Sequence, residues 1–308
     1  MKIARSGKEL LEICAAEQIS LSEYAIRQEM ELKNVSREDL FAQMKITLDA
    51  MKESATAGRE KKVYSLSGLI GGDAYRLQQY CNTGNSLMGN GIVMAMAMAI
   101  SSSEVNGAMG KIVACPTAGS CGILPAVILT TGHLLNKTDD ELIQGLFAAS
   151  AIGMIIGMNA TFSGAEGGCQ AECGSAAAMA SGAVVELMGG TPKMSLDSAA
   201  IIFKNVLGLV CDPVAGLVEI PCAKRNVSGA INALCTADMV MAGVNSKIPF
   251  DDAVAAMYKV GTGLPEELRE TALGGCAITP TGKALQEKVF GKKAVSYTHL
   301  RAHETEAD

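Results

Sequence analysis

The chain has 308 residues, 49% of them hydrophobic but only 4% aromatic, with no tryptophan and a formal charge of −6. That length allows one large domain or two small ones around a substantial core. The acidic balance and scarcity of aromatic rings exclude a basic stripe or a stacking platform for nucleic acid. A core without large rings must be built from Ala, Gly, Leu, Ile, Val and the 17 methionines. Such small and adaptable side chains let helices approach closely.

Residues 1–62 read as a charged, amphipathic helical segment. The opening MKIARSGKELLEICAAEQ lacks the apolar stretch of a signal peptide, so a cytoplasmic protein is expected. Leu10, Leu11, Cys14 and Ala15 follow helical spacing. Ser36 with Asp39 forms a capping pattern ahead of LFAQMKITLDAMKESA. Residues 63–293 form the main domain, with Gly- and Ala-rich apolar runs between short polar loops. Ile92–Ile100 and Leu146–Met158 are the most apolar runs. Each is shorter than the roughly 18–20 residues that span a bilayer, so both are read as buried core helices and no membrane partner is expected. His133 falls in an apolar helix and is read as structural. A late helix is predicted over 251–259. Alternation at period two is scarce, and the predicted class is all-α, a Gly/Ala-rich helical domain. Residues 294–308, AVSYTHLRAHETEAD, have no apolar periodicity and are read as a foreign or disordered tail, dispensable for function.

Ten cysteines in a chain without an export signal argue against a disulfide framework. Three lie in polar, Gly-rich loops: Cys169 in EGGCQAECG, Cys211 in LVCDPVAG and Cys222 in EIPCAKRN. Thiolates are the usual ligands of iron–sulfur clusters, and glycine lets backbone approach a bulky inorganic group. The spacing alone leaves open whether these are ligands or buried structural cysteines. Cys173, four residues after Cys169, competes as a ligand, and Cys276 is a weaker fourth candidate. Cys115 and Cys121 flank the PTAGS turn. Cys14, Cys81 and Cys235 are read as core residues.

Other constellations surround these loops. Pro116–Ser120 makes a tight turn whose hydroxyls, Thr117 and Ser120, and backbone N–H groups suit a carboxylate; a plain helix cap explains it too. Glu104 and Asn106, just upstream, are candidates for an ammonium group, with helix capping as the alternative. Lys224, Arg225 and Asn226 follow Cys222 directly and suit a carboxylate or the tuning of a cluster, unless they form a solvated loop.

Five stretches together resemble the alpha subunit of iron–sulfur-dependent bacterial L-serine dehydratases. They are SLSGLIGGDAYRLQQY, SSSEVNGAMGKIVACPTAGSCGILPAV, SGAEGGCQAECGSAAAMASGAVVELMGGTP, CDPVAGLVEIPCAKRNVSGAINAL and GGCAITPTGKALQEKVFG. The resemblance covers nearly all of residues 1–293. It implies a [4Fe-4S] cluster on Cys169, Cys211 and Cys222, with one iron open to L-serine, and elimination of water to give pyruvate and ammonia. Thr117 and Ser120 are then expected in catalysis, as carboxylate-positioning groups or as a base. Glu104, Asn106, Lys224, Arg225 and Asn226 are expected to bind substrate. Threonine or cysteine as substrate, or a non-catalytic sensor subunit, are the alternatives. The Ser-Ser-Ser-His-Thr segment and regulatory domain found elsewhere in the family are missing. A separate beta subunit is therefore expected to complete the site, and the isolated chain to be a poor enzyme, possible as a homo-oligomer.

Overall fold

A computed structural model describes residues 2–291; the tail reading at 294–308 falls outside them. Thirteen α-helices and no strand occur among the described residues, so the chain is all-α.

Three N-terminal helices come first, α1 (Gly7–Glu17), α2 (Leu21–Lys33) and α3 (Arg37–Glu60), each started by a serine. Ser6, Ser20 and Ser36 accept hydrogen bonds from backbone N–H groups three residues on, using donors that the helix cannot satisfy itself. At Ser36 the predicted capping box with Asp39 is complete. Then follow α4 (Asp73–Asn82), α5 (Asn90–Gly107), α6 (Ile123–Leu135) and α7 (Asp139–Asn159). After these come a single turn, α8 (Gly164–Gly167), and α9 (Ser175–Leu187), α10 (Pro192–Val206), α11 (Cys222–Met241), α12 (Phe250–Thr262) and α13 (Pro280–Phe290).

The centre is α9, SAAAMASGAVVEL, buried on nearly every side and packed against α6, α7, α10 and α11. Only small residues permit this. A Cβ on Gly182 would lie 2.1 Å from Ile152 Cδ1 and 3.1 Å from the Ser195 carbonyl, distances that close-packed interiors cannot absorb without movement. The segment 1–62 joins the same core, with α2 against α7 and α3 against α5.

Three expectations are corrected. Cys235 is exposed on α11 rather than a core residue, while Cys14 and Cys81 are buried. His133 is exposed in the last turn of α6, because the helix end leaves the core there. The apolar run 146–158 is only part of α7, which at 21 residues is long and apolar enough to cross a membrane, as is the window Ala118–Leu135. Length therefore does not separate the two readings. Both windows are 67% buried against other helices, which marks them as core.

Candidate active site

Three loops meet where α6, α9 and α11 begin. The PTAGS segment enters extended at Thr117 and closes a 3₁₀ turn over Ala118–Ser120 just ahead of α6. Thr117 Oγ1 and Ser120 Oγ lie 3.1 Å apart, and the Thr117 N–H donates back to Ser120 Oγ at 3.4 Å. Gly122 then presses on α5, where a Cβ would fall 2.3 Å from the Ala99 carbonyl oxygen. Only glycine lets the turn sit this close.

The second loop runs through α8 to Gly168, whose φ of +73° suits glycine. Cys169 follows, and Gln170–Gly174 form a π-helical turn before α9; such turns concentrate at functional sites. In the third loop, the Cys211 N–H donates to Leu268 O at 2.8 Å and its carbonyl accepts from Glu270 N–H at 2.7 Å. Cys222 is the first residue of α11.

Cys169, Cys211 and Cys222 are 3%, 4% and 8% exposed. They lie close enough that charge on one acts on the next, so that Cys169 raises the pKa of both Cys211 and Cys222. Burial is the larger cause for each; it lifts Cys222 to about 12 and Cys211 higher still. Cys169 goes the other way. A hydrogen bond from the Cys173 thiol, then the Arg225 guanidinium, hold it below the ordinary thiol value against its burial. Cys173 is correspondingly raised by Cys169 and by burial. A cationic neighbour and a thiol donor are what stabilise a thiolate.

One carboxyl that the sequence reading did not select, Glu172, stands among these loops. The Thr117 hydroxyl acts to lower its pKa, and its Oε2 lies 3.8 Å from Cys211 Sγ. Burial, then the charge of Glu270, push its pKa up to about 7. A charged residue inside the small-residue run GGCQAECGSAAA was the available signal, since such residues are seldom drawn even partly into a core without a task.

The remaining sequence candidates divide. Asn226 is buried and structural in its contacts: Oδ1 accepts from Gly122 N–H at 2.9 Å, while Nδ2 donates to Gly119 O at 2.8 Å and Cys222 O at 2.9 Å. Asn106 reaches the same turn, donating to Ala118 O at 3.4 Å. Arg225 pairs with Asp212 at 2.8 Å and donates to Val210 O at 2.9 Å. Lys224 points to α4, pairing with Asp73 at 2.8 Å. Glu104 is fully buried at the start of α4, where Oε1 accepts from Asp73 N–H at 2.6 Å. Burial lifts its pKa to about 7 despite those backbone donors. Cys276 is exposed, its N–H donating to Asp212 at 2.6 Å. Cys115 and Cys121 are buried beside the turn.

These loops also carry the likeness to known proteins. Residues 16–277 match the family described as serine dehydratase alpha chain. The chain is 50% identical to the probable L-serine dehydratase alpha chain of Bacillus subtilis (strain 168), over 93% of this chain and 95% of the relative. It is 44% identical to the L-serine dehydratase alpha chain of Peptoniphilus asaccharolyticus, over 91% and 96%. It is 36% identical to the L-serine dehydratase of Helicobacter pylori (strain 26695), where it matches over 89% of its own length but only 61% of the relative. With a family match spanning most of the helical core and all three converging loops, the chain belongs to the serine dehydratase alpha chain family.

Proposed function

We propose that this chain is the catalytic subunit of an L-serine dehydratase, a cytoplasmic lyase that carries a [4Fe-4S] cluster and works with a separate beta chain. The observation that carries this reading is the convergence of Cys169, Cys211 and Cys222 beside Thr117. No three His, Cys, Asp or Glu side chains gather as for a single metal ion among the described residues. A cluster asks for something else, since each thiolate ligates its own iron. The donor set suits it: three buried thiols on separate loops, with the Cys169 thiol held below its ordinary pKa. The loop packing suits it as well, because a Cβ on Gly164 would lie 3.1 Å from Cys211 Sγ and close the space beside that sulfur. Ligation would require Cys211 and Cys222 to give up the protons that burial favours on them.

Held by Cys169, Cys211 and Cys222, such a cluster would supply Lewis-acid chemistry to a substrate hydroxyl. The chain's own residues position the substrate. The Thr117 and Ser120 hydroxyls and the N–H groups of their turn receive the carboxylate and orient the substrate. An alcohol is a poor base at neutral pH, so positioning is the main task of Thr117. Asn226 fixes that turn to the start of α11, one turn beyond Cys222. Arg225 faces Cys169 and Cys222 electrostatically while its guanidinium is held by Asp212. Loss of water gives aminoacrylate, which tautomerises and hydrolyses to pyruvate and ammonia.

The beta chain enters because relatives named simply L-serine dehydratase are much longer: this chain spans 61% of the Helicobacter pylori protein and 60% of that from Streptomyces coelicolor. The test is anaerobic reconstitution of the purified chain, then pyruvate assay with and without the beta chain. Activity only after its addition is the expected result. Full activity of the chain alone would remove the split site. A cluster-loaded complex that turns over threonine or cysteine but not serine would replace the substrate. One that turns over none of them would leave a sensor or structural subunit.

A further inference from the structure

We propose that the Glu172 carboxylate is the receptor for the substrate's α-ammonium group, and so the residue that selects an amino acid over the matching hydroxy acid. The inference rests on the serine dehydratase reading above and adds a specificity residue to it.

Glu172 is placed by three loops at once. Its own π-helical turn carries it between Cys169 and Cys173. It meets Thr117 from the PTAGS turn and lies 3.8 Å from the sulfur of Cys211. Two glycines leave it room: a Cβ on Gly164 would come within 2.7 Å of Oε2, and one on Gly119 within 3.3 Å of Oε1. The carboxyl thus stands between the residues proposed to hold the carboxylate and those proposed to hold the cluster. A substrate bound at both ends carries its Cα, and the ammonium on it, through that space.

Charge points the same way. No Lys, Arg or His pairs with Glu172 among the described residues; the charge that acts on it most is that of Glu270, which is also negative. Glu172 is half-buried, and a carboxyl partly withdrawn from water without a cation costs free energy, a cost that a bound ammonium offsets. Two other acidic groups of these loops and their surroundings are committed. Glu104 caps α4 through Asp73 N–H at 2.6 Å, and Asp212 holds Arg225 at 2.8 Å. Serine presents a carboxylate, a hydroxyl and an ammonium. The first suits the PTAGS donors and the second the Lewis acid, which leaves the third for Glu172.

The test compares L-serine with 2,3-dihydroxypropanoate of the same configuration, which has a hydroxyl in place of the ammonium. Glu172→Gln keeps the size of the side chain and a polar end near Thr117 but removes the charge. In the reconstituted complex with the beta chain, iron content and visible spectrum should match the wild type. The KM for serine should rise about ten- to hundredfold, the loss of one charge-assisted hydrogen bond. The inhibition constant of dihydroxypropanoate, and its perturbation of the cluster spectrum, should change less than about threefold. Glu172→Asp, which keeps the charge, should retain more of the preference for serine than Glu172→Gln. Parallel weakening of both ligands would assign Glu172 to general positioning and overturn the proposal. A fall in kcat at unchanged KM would assign it to proton transfer, with the same consequence. Loss of iron in both variants would make it a support of the cluster loop and equally overturn it. If the wild-type complex holds a cluster yet neither binds nor converts serine, the dehydratase reading itself fails, and this proposal with it.

Discussion

The side-chain amide of Asn226 takes the Gly122 N–H at 2.9 Å, joining the PTAGS turn to the first turn of α11 across 104 residues of sequence. The same amide donates to Gly119 O and Cys222 O. One side chain therefore sets the distance between the hydroxyl-bearing turn and the Cys222 thiol. Asn226→Ala leaves these buried backbone groups without their partner and should destabilise the chain by about 1–3 kcal/mol. The urea midpoint of the cluster-free protein measures this. Iron retention after reconstitution should fall as well, because the two loops lose their common anchor.

The cysteines should separate into two groups. Cys169→Ser, Cys211→Ser and Cys222→Ser should each lose most of the iron, acid-labile sulfide and visible absorption. Cys173→Ser keeps a hydroxyl donor toward Cys169 and should hold its iron, as should Cys276→Ser. Iron loss on changing Cys173, with retention on changing Cys169, would exchange their roles.

Thr117→Ala should lower kcat/KM for serine about ten- to hundredfold while iron content stays at the wild-type level. That is the expected penalty for a misplaced substrate rather than a missing cofactor. Unchanged pyruvate production would reduce Thr117 to the partner that Ser120 gives it at 3.1 Å.

Glu104 should make stability depend on pH. Burial raises its folded pKa to about 7 from an ordinary 4.5. The folded chain therefore keeps a proton on Glu104 that the unfolded chain has released between those values. Its contribution to stability is full below about 4.5 and is lost as pH rises through 7. Glu104→Gln keeps an oxygen for the Asp73 N–H and cannot ionise. The variant should match the wild type near pH 5 and be the more stable by pH 8, with a gap of at most a few kcal/mol. Unfolding midpoints of both cluster-free proteins across that range check the sign; parallel curves would show that Glu104 does not titrate there.

The helical class was legible in the composition, because a core of small side chains with little period-two alternation leaves close helix packing as the workable arrangement. Local signals were equally plain: Ser36 and Asp39 cap α3 as their spacing predicts, since a cap depends on residues three positions apart. The stretches that carry the family likeness were also complete in the sequence, and the matched residues 16–277 contain the three loop cysteines and PTAGS.

Tertiary structure decided what depends on partners distant in sequence. Glu104 and Glu172 are both acidic residues near the right motifs, the first buried and the second half-buried, and nothing in their neighbours along the chain separates them. Only the fold places α4 over Glu104, so that its Oε1 is taken by the Asp73 N–H, and brings Thr117 and Cys211 to Glu172. Asn226 reads as part of a charged loop until Gly122 appears beside it. His133 and Cys235 sit in apolar-looking helices, yet both face outward. Periodicity says that a helix has a buried face; which end of that face leaves the core depends on where the next helix stops, and that is a property of the packed molecule.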